Sequence, residues 1–148
     1  MATTSIAIPH EGQKKIAAQG WVVLLGRVLF ALIFIMSGPN HFAKQTIAYA
    51  AGQGVPLATL AVPFSGLMAI AGGLSILLGY RARIGAWLIV LFLVPVTFMM
   101  HNFWAVADPM MKQMQMIMFF KNVSMTGAAL FISQIGAGPF SLDARRSR

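Results

Sequence analysis

Two cations, Arg27 and Lys121, stand inside apolar stretches of this chain, and two histidines, His41 and His101, stand at the ends of such stretches. Arg offers a planar fork of donors suited to a carbonyl or phosphate, Lys a compact point charge, and imidazole exchanges protons near neutral pH. Asn40-His41-Phe42 closes the first apolar stretch, and His101-Asn102-Phe103-Trp104 closes the third. Lys121-Asn122 falls near the start of the fourth, a turn or two below both. Two imidazoles, an ammonium, an amide and indole rings at one rim suit a redox-active ring such as a quinone, or a lipid head group near the outer leaflet. The expected ligand-binding set is therefore Arg27, His41, His101, Trp104, Lys121 and Asn122. Two plainer readings stand beside it. The long stems of Arg27 and Lys121 carry their charges to headgroup depth, and Trp, His and Asn make an interfacial belt.

Several chemistries are excluded. With no cysteine there is no thiol catalysis, disulfide exchange or iron–sulfur ligation. Glu11, Asp108 and Asp143 are the only acids, so paired-carboxylate chemistry is absent, as are catalytic triads and phosphate loops. No catalytic residue is assigned. Two histidines without acids are too few for a metal centre. Seven of the eleven methionines crowd into Met99, Met100, Met110, Met111, Met114, Met116 and Met118. Thioethers select Cu(I), which makes copper binding by this outer loop an alternative, although methionine also fills apolar packing.

The elements that must position these groups follow from composition. Of 148 residues, 58% are hydrophobic and 9% charged, against about 25% charged in a soluble domain; mean hydropathy is +0.76. Residues 45–80, 84–107 and 122–142 carry no charge at all, and a bilayer span needs about 20 mostly apolar residues. The expectation is an all-α integral membrane protein with four transmembrane helices, at about Trp21 to His41, Ala58 to Tyr80, Ile84 to Asn102 and Met116 to Gly136. Lys14, Lys15, Arg81, Arg83, Arg145, Arg146 and Arg148 fall on one side and Lys44 and Lys112 on the other. The positive-inside rule then places both termini in the cytoplasm. Residues 1–20 read as a polar cytoplasmic leader, 21–136 as the transmembrane domain and 137–148 as a basic cytoplasmic tail. Topology accounts for the net charge of +8, so the expected partner is the bilayer and not nucleic acid.

Within span one, Arg27 and His41 are 14 residues apart, about 21 Å of rise and within about 40° of one direction. They share a face with Ala31, Phe34 and Gly38. Residues 43–57 read as a short interfacial helix followed by a turn at Gly52 to Pro56. Small residues mark close helix contacts: Ser65, Ala69 and Gly73 on span two, and Asn122, Thr126, Ala129 and Ser133 on span four.

The stretches LLGRVLFALIFIMSGPNHF, GGLSILLGYRARIGAWLIVLF, HNFW, MFFKNVSMTGAALF and GPFSLD follow one another in an order and spacing that resembles the DoxX family. The resemblance implies four membrane helices in a bacterial cytoplasmic membrane. It also implies a role beside quinone-linked redox enzymes, since some members are described as the small subunit of a thiosulfate–quinone oxidoreductase. Arg27, His101, Trp104, Lys121 and Asn122 fall on recurrent polar positions of the family pattern. Where relatives often carry a glutamate in mid-span two, this chain has Ala69, which leaves Arg27 without that acid. The reading that results is an accessory subunit of a quinone-linked membrane complex, with other redox subunits or a homo-oligomer as partners. The alternatives are a structural or assembly subunit, or Cu(I) binding.

Overall fold

The computed structural model describes the backbone of residues 10–146 and the side chains of residues 19–146. Helix α1 (His10–Ser37) runs into a 3-10 turn at Gly38–Phe42, followed by α2 (Lys44–Gly52), α3 (Ala58–Leu78), α4 (Ala82–Met100), a second 3-10 turn at Phe103–Ala105, α5 (Pro109–Ile135) and the short α6 (Leu142–Arg146). Four of these are long and apolar enough to cross a membrane, over Gln19–Phe42, Ala58–Leu78, Ala82–Ala105 and Pro109–Ile135. The expected residues 1–20 leader lies largely outside the described side chains.

The fourth span begins seven residues earlier than the apolar run suggests. Asp108 takes the N-cap position, its Oδ1 accepting from Met111 N at 2.8 Å, and Pro109 fills the first helical position. Met and Gln are good helix formers, so the first two turns stand on capping and propensity before hydropathy takes over. The amphipathic stretch forms α2 as expected. It ends in a Schellman motif, with Val55 N on Ala50 O, Gly54 N on Ala51 O, and Gly54 at φ +83°.

Helix α3 packs on α1 and α4, and α4 packs on α5. The core is Ala31 and Phe34 of α1, Ala69 and Ile76 of α3, Ala86, Ile89, Val90, Phe92 and Leu93 of α4, and Ala129 of α5. Its outer faces are apolar too: Trp21, Leu29, Met36, Leu60 and Phe131 are each more than 60% exposed. An apolar exterior of this extent belongs against lipid. On α5 the small-residue stripe holds, with Asn122, Ala129 and Ser133 buried. On α3 the stripe is shifted: Gly66, Ala69, Gly72 and Gly73 are buried, while Ser65 is only half-buried.

Gly72 is where α3 and α4 touch backbone to backbone. A Cβ there would lie 2.9 Å from Gly85 O and 2.8 Å from Ile89 Cδ1. In lipid no hydrophobic force separates good helix contacts from poor ones, so this approach is a direct source of packing energy. Gly72→Ala is expected to lower stability by about 1–3 kcal/mol through overpacking. Gly127 has open space around it, and Gly127→Ala should be neutral or up to about 1 kcal/mol stabilising. Thermal unfolding of both variants in one detergent makes the comparison.

Candidate functional site

The helices alternate in direction, so the ends of α1 and α4 share one end of the bundle with the starts of α3 and α5. A cavity of about 670 Å³ opens there. Its walls are apolar, with Phe34, Val62, Met68, Phe92, Met99 and Met125 prominent. Into this lining come four residues that could hold a ligand: His41 from the 3-10 turn after α1, His101 just past α4, and Lys121 and Asn122 from α5. Helix α2 closes one side through Thr46, Tyr49 and Ala50.

Both imidazoles are oriented by one ring nitrogen. His41 Nδ1 lies 3.2 Å from Ser37 O, and the ring stands edge-on to Phe92 at 5.6 Å. His101 Nδ1 lies 2.8 Å from Gln115 Oε1. A backbone carbonyl only accepts, so the Ser37 contact places the proton of a neutral His41 on Nδ1 and leaves Nε2 as an acceptor, while the Gln115 amide can pair with either tautomer of His101. Lys121 is exposed, and its Nζ donates to Met118 Sδ at 3.3 Å. A thioether is a weak acceptor, so the ammonium keeps most of its donor capacity. That cation also stands where copper would need the Met118 sulfur. Met110, Met111 and Met114 are exposed on α5, while Met99 and Met100 line the cavity. Among the described residues no three His, Cys, Asp or Glu side chains group as a metal site.

Two of the six sequence-expected residues lie elsewhere. Trp104 is 55% exposed in the second 3-10 turn, its ring 5.2 Å from Phe103 and 5.8 Å from Phe119. The three rings pack as one cluster, with Phe103 and Phe119 themselves 5.5 Å apart. Arg27 is 3% exposed, does not line the cavity, and donates from Nη2 to Phe140 O at 2.5 Å. It points into the bundle and does not snorkel.

Residues 136–146 do not trail away as a free tail. Ala137 and Ser141 are buried, and Asp143 N donates to Gly79 O at 2.9 Å. Asp143 Oδ1 and Oδ2 accept from Arg81 N and Ala82 N at 2.8 and 3.2 Å. Helix α4 has no side-chain cap of its own, so an acid sixty-odd residues later caps it. The same carboxylate lies within electrostatic reach of Arg27. Outside the spans, Tyr80 is held below the usual tyrosine pKa, first by the hydrogen bond from Arg146 and then by the charges of Arg146 and Arg81. The Arg146 guanidinium sits 4.7 Å over its ring.

Sequence reasoning missed Ser37 and Gln115, which set the imidazoles, and the part played by Asp143. The one legible signal was the turn chemistry of Gly136-Ala-Gly138-Pro139, which marks a change of direction, followed by Ser141. The Ser141 hydroxyl caps α6 through Ala144 N at 3.1 Å.

A four-helix, lipid-facing bundle with a cavity between its helices defines a small multi-pass membrane protein. Residues 22–102 match the DoxX family model, and the chain belongs to that family. Inner membrane protein YphA of Escherichia coli K12 is 32% identical over 87% of this chain and 93% of its own length. Inner membrane protein YqjF of the same organism is 29% identical over 82% of this chain and 88% of its own. The ER-derived vesicles protein ERV29 of Saccharomyces cerevisiae is 23% identical over 97% of this chain but only 40% of its own length. No solved structure matches. The chain is a multi-pass inner-membrane protein.

Asp143→Ala should cost about 0.5–2 kcal/mol, the usual range for a lost helix cap, read as a lower Tm in detergent. Arg146→Gln should move the Tyr80 absorbance titration to higher pH, with Tyr80→Phe identifying the band. The sign follows from an acid whose folded pKa is depressed. The ionisation-dependent part of the Tyr80–Arg146 contact appears only as pH rises through the lowered pKa. That part of the variant's loss is therefore seen in alkaline solution, on top of a pH-independent loss of the cation–π contact.

Proposed function

We propose that the chain is a quinone-binding accessory subunit of a membrane redox complex. The observation that carries this reading is the convergence of His41, His101, Lys121 and Asn122 on one apolar cavity of about 670 Å³, within the roughly 300–1,000 Å³ of small-molecule sites. A quinone ring is apolar on its faces and carries two carbonyl oxygens at its edge. Lys121 and the Asn122 amide are the donors for those oxygens. The Nε2 atom of His41 is an acceptor for a hydroxyl of the reduced form, and His101 is the second imidazole on the cavity wall. Phe64 and Leu91 line the cavity yet stand 63% and 59% exposed on the outer surface. The cavity therefore opens sideways, and an isoprenoid tail leaves directly into lipid. The partner subunit supplies the electron-transfer centre, while this chain supplies binding and proton-accepting groups.

The test is binding of a short-chain ubiquinone analogue to the purified protein in mild detergent, alongside mass spectrometry of what co-purifies. Lys121→Met should weaken binding about tenfold or more, the range for a lost charged hydrogen bond. Lys112→Met, exposed in the first turn of α5, should leave it unchanged. Equal behaviour of the two variants, or a wild-type protein that takes up no quinone, would overturn the reading. A stoichiometric protein partner without quinone would replace it with a structural or assembly role.

A further inference from the structure

The other end of the bundle holds a second, open cavity of about 440 Å³, lined by Arg81, Arg83, Ile84, the Gly136–Gly138 backbone, Ser141, Asp143 and Ala144. Its charge is unbalanced. The one carboxylate, Asp143, directs both oxygens at the Arg81 and Ala82 amides. The Arg81 guanidinium is engaged by the Tyr80 ring and hydroxyl. Arg83 makes no hydrogen bond or ion pair with any described residue. Its Nε lies against Gly136, 3.6 Å from where a Cβ would stand. Gly136 has φ 76° and ψ −162°, a conformation essentially reserved for glycine, so the backbone passes bare beneath the free guanidinium.

A third positive charge lies behind the floor. The Arg27 guanidinium, Ala137 and Ser141 together surround Gly79, and Ala137 and Ser141 belong to the cavity wall. Arg27 Nε and Nη1 are buried with no hydrogen-bond partner. Their charge is only partly offset by the Phe140 carbonyl and by Asp143, so the potential at the cavity stays positive. Basic pockets between membrane helices at headgroup depth suit anionic lipid head groups, and guanidinium is the side chain whose fork matches phosphate.

We propose that this cavity is a phosphate site for an anionic phospholipid head group, with Arg83 as its principal donor, Arg81 as its second, and acyl chains running along the outer face of α4 past Ile84, which is 55% exposed. It is separate from the quinone cavity, at the opposite end of the bundle.

The experiment is native mass spectrometry of the full chain from detergent containing equimolar phosphatidylglycerol and phosphatidylcholine. Wild type should retain phosphatidylglycerol preferentially. Arg83→Gln should cut that preference about fivefold, the effect of one basic residue near a charged surface, and Arg83→Lys should keep part of it. Circular dichroism checks that each variant is folded. Neutralising Arg145 and Arg146 together should change the preference less than Arg83→Gln alone. A larger loss from the Arg145/Arg146 pair, or no preference in wild type, would overturn the site in favour of bulk electrostatics. Titration with inorganic phosphate separates the sources: displacement of bound phosphatidylglycerol supports the head-group site, whereas Arg83-dependent phosphate binding with no lipid preference would overturn the assignment to lipid.

Discussion

Everything in this bundle hangs on how closely α3 approaches its neighbours. In a bilayer, side chains are as apolar as the lipid that replaces them, so helices gain by contact and not by escape from water. Gly72 against Gly85, and Gly73 against the Ala31 carbonyl, bring the α3 backbone onto α4 and α1 at one level. Nearer the other end the residues between helices are large and partly flexible: Phe34, Met68, Phe92, Met99 and Met125. Close approach is not confined to that level, since Gly66 meets the Gly38 carbonyl and His41 at the cavity end, and the space that remains there is walled by the bulky side chains.

The second constraint is the buried guanidinium of Arg27. A charge in a low-dielectric interior is tolerated only when it is compensated, and the spans hold no acid. The compensation comes from the C-terminal segment, which brings the Phe140 carbonyl to Nη2 and the Asp143 carboxylate into range. The same carboxylate caps α4. One docked segment therefore partly offsets a buried cation, through Nη2 alone, and caps an open helix terminus, which ties α1, the α3–α4 turn and α6 into a single network.

Much of this was legible beforehand, and the reasons for the rest are specific. Hydropathy and uncharged run length locate all four spans because the bilayer imposes a length that the sequence must meet. The start of α5 is misplaced by the same criterion, since Asp108 and Pro109 signal a helix start through capping and not through apolarity. His41, His101, Lys121 and Asn122 share a cavity because each sits near the same end of its span, a fact that counting along spans supplies. Chemistry, a helix face shared with His41 and the family pattern group Arg27 with them, yet the 14 residues between it and His41 put it toward the opposite end. Asp143 falls beyond the last apolar run, so counting along the spans gives it no place in the bundle. Sequence spacing does not show that residues 136–146 turn back, because that depends on a tertiary hydrogen bond between Asp143 N and Gly79 O.

The two intramembrane cations, alike in sequence, end in opposite situations. Arg27 is enclosed, partnered by a backbone carbonyl, and inaccessible to anything entering the cavity. Lys121 is exposed, with a thioether as its only hydrogen-bond partner among the described residues. A strong donor left facing a weak acceptor gains by meeting a carbonyl or phosphoryl oxygen, and the cavity beside it is where such an oxygen would arrive. Arg27 is thus tied into the fold through the Phe140 carbonyl, whereas Lys121 lines the cavity that His41 and His101 also line, and the proposed binding role rests on that contrast.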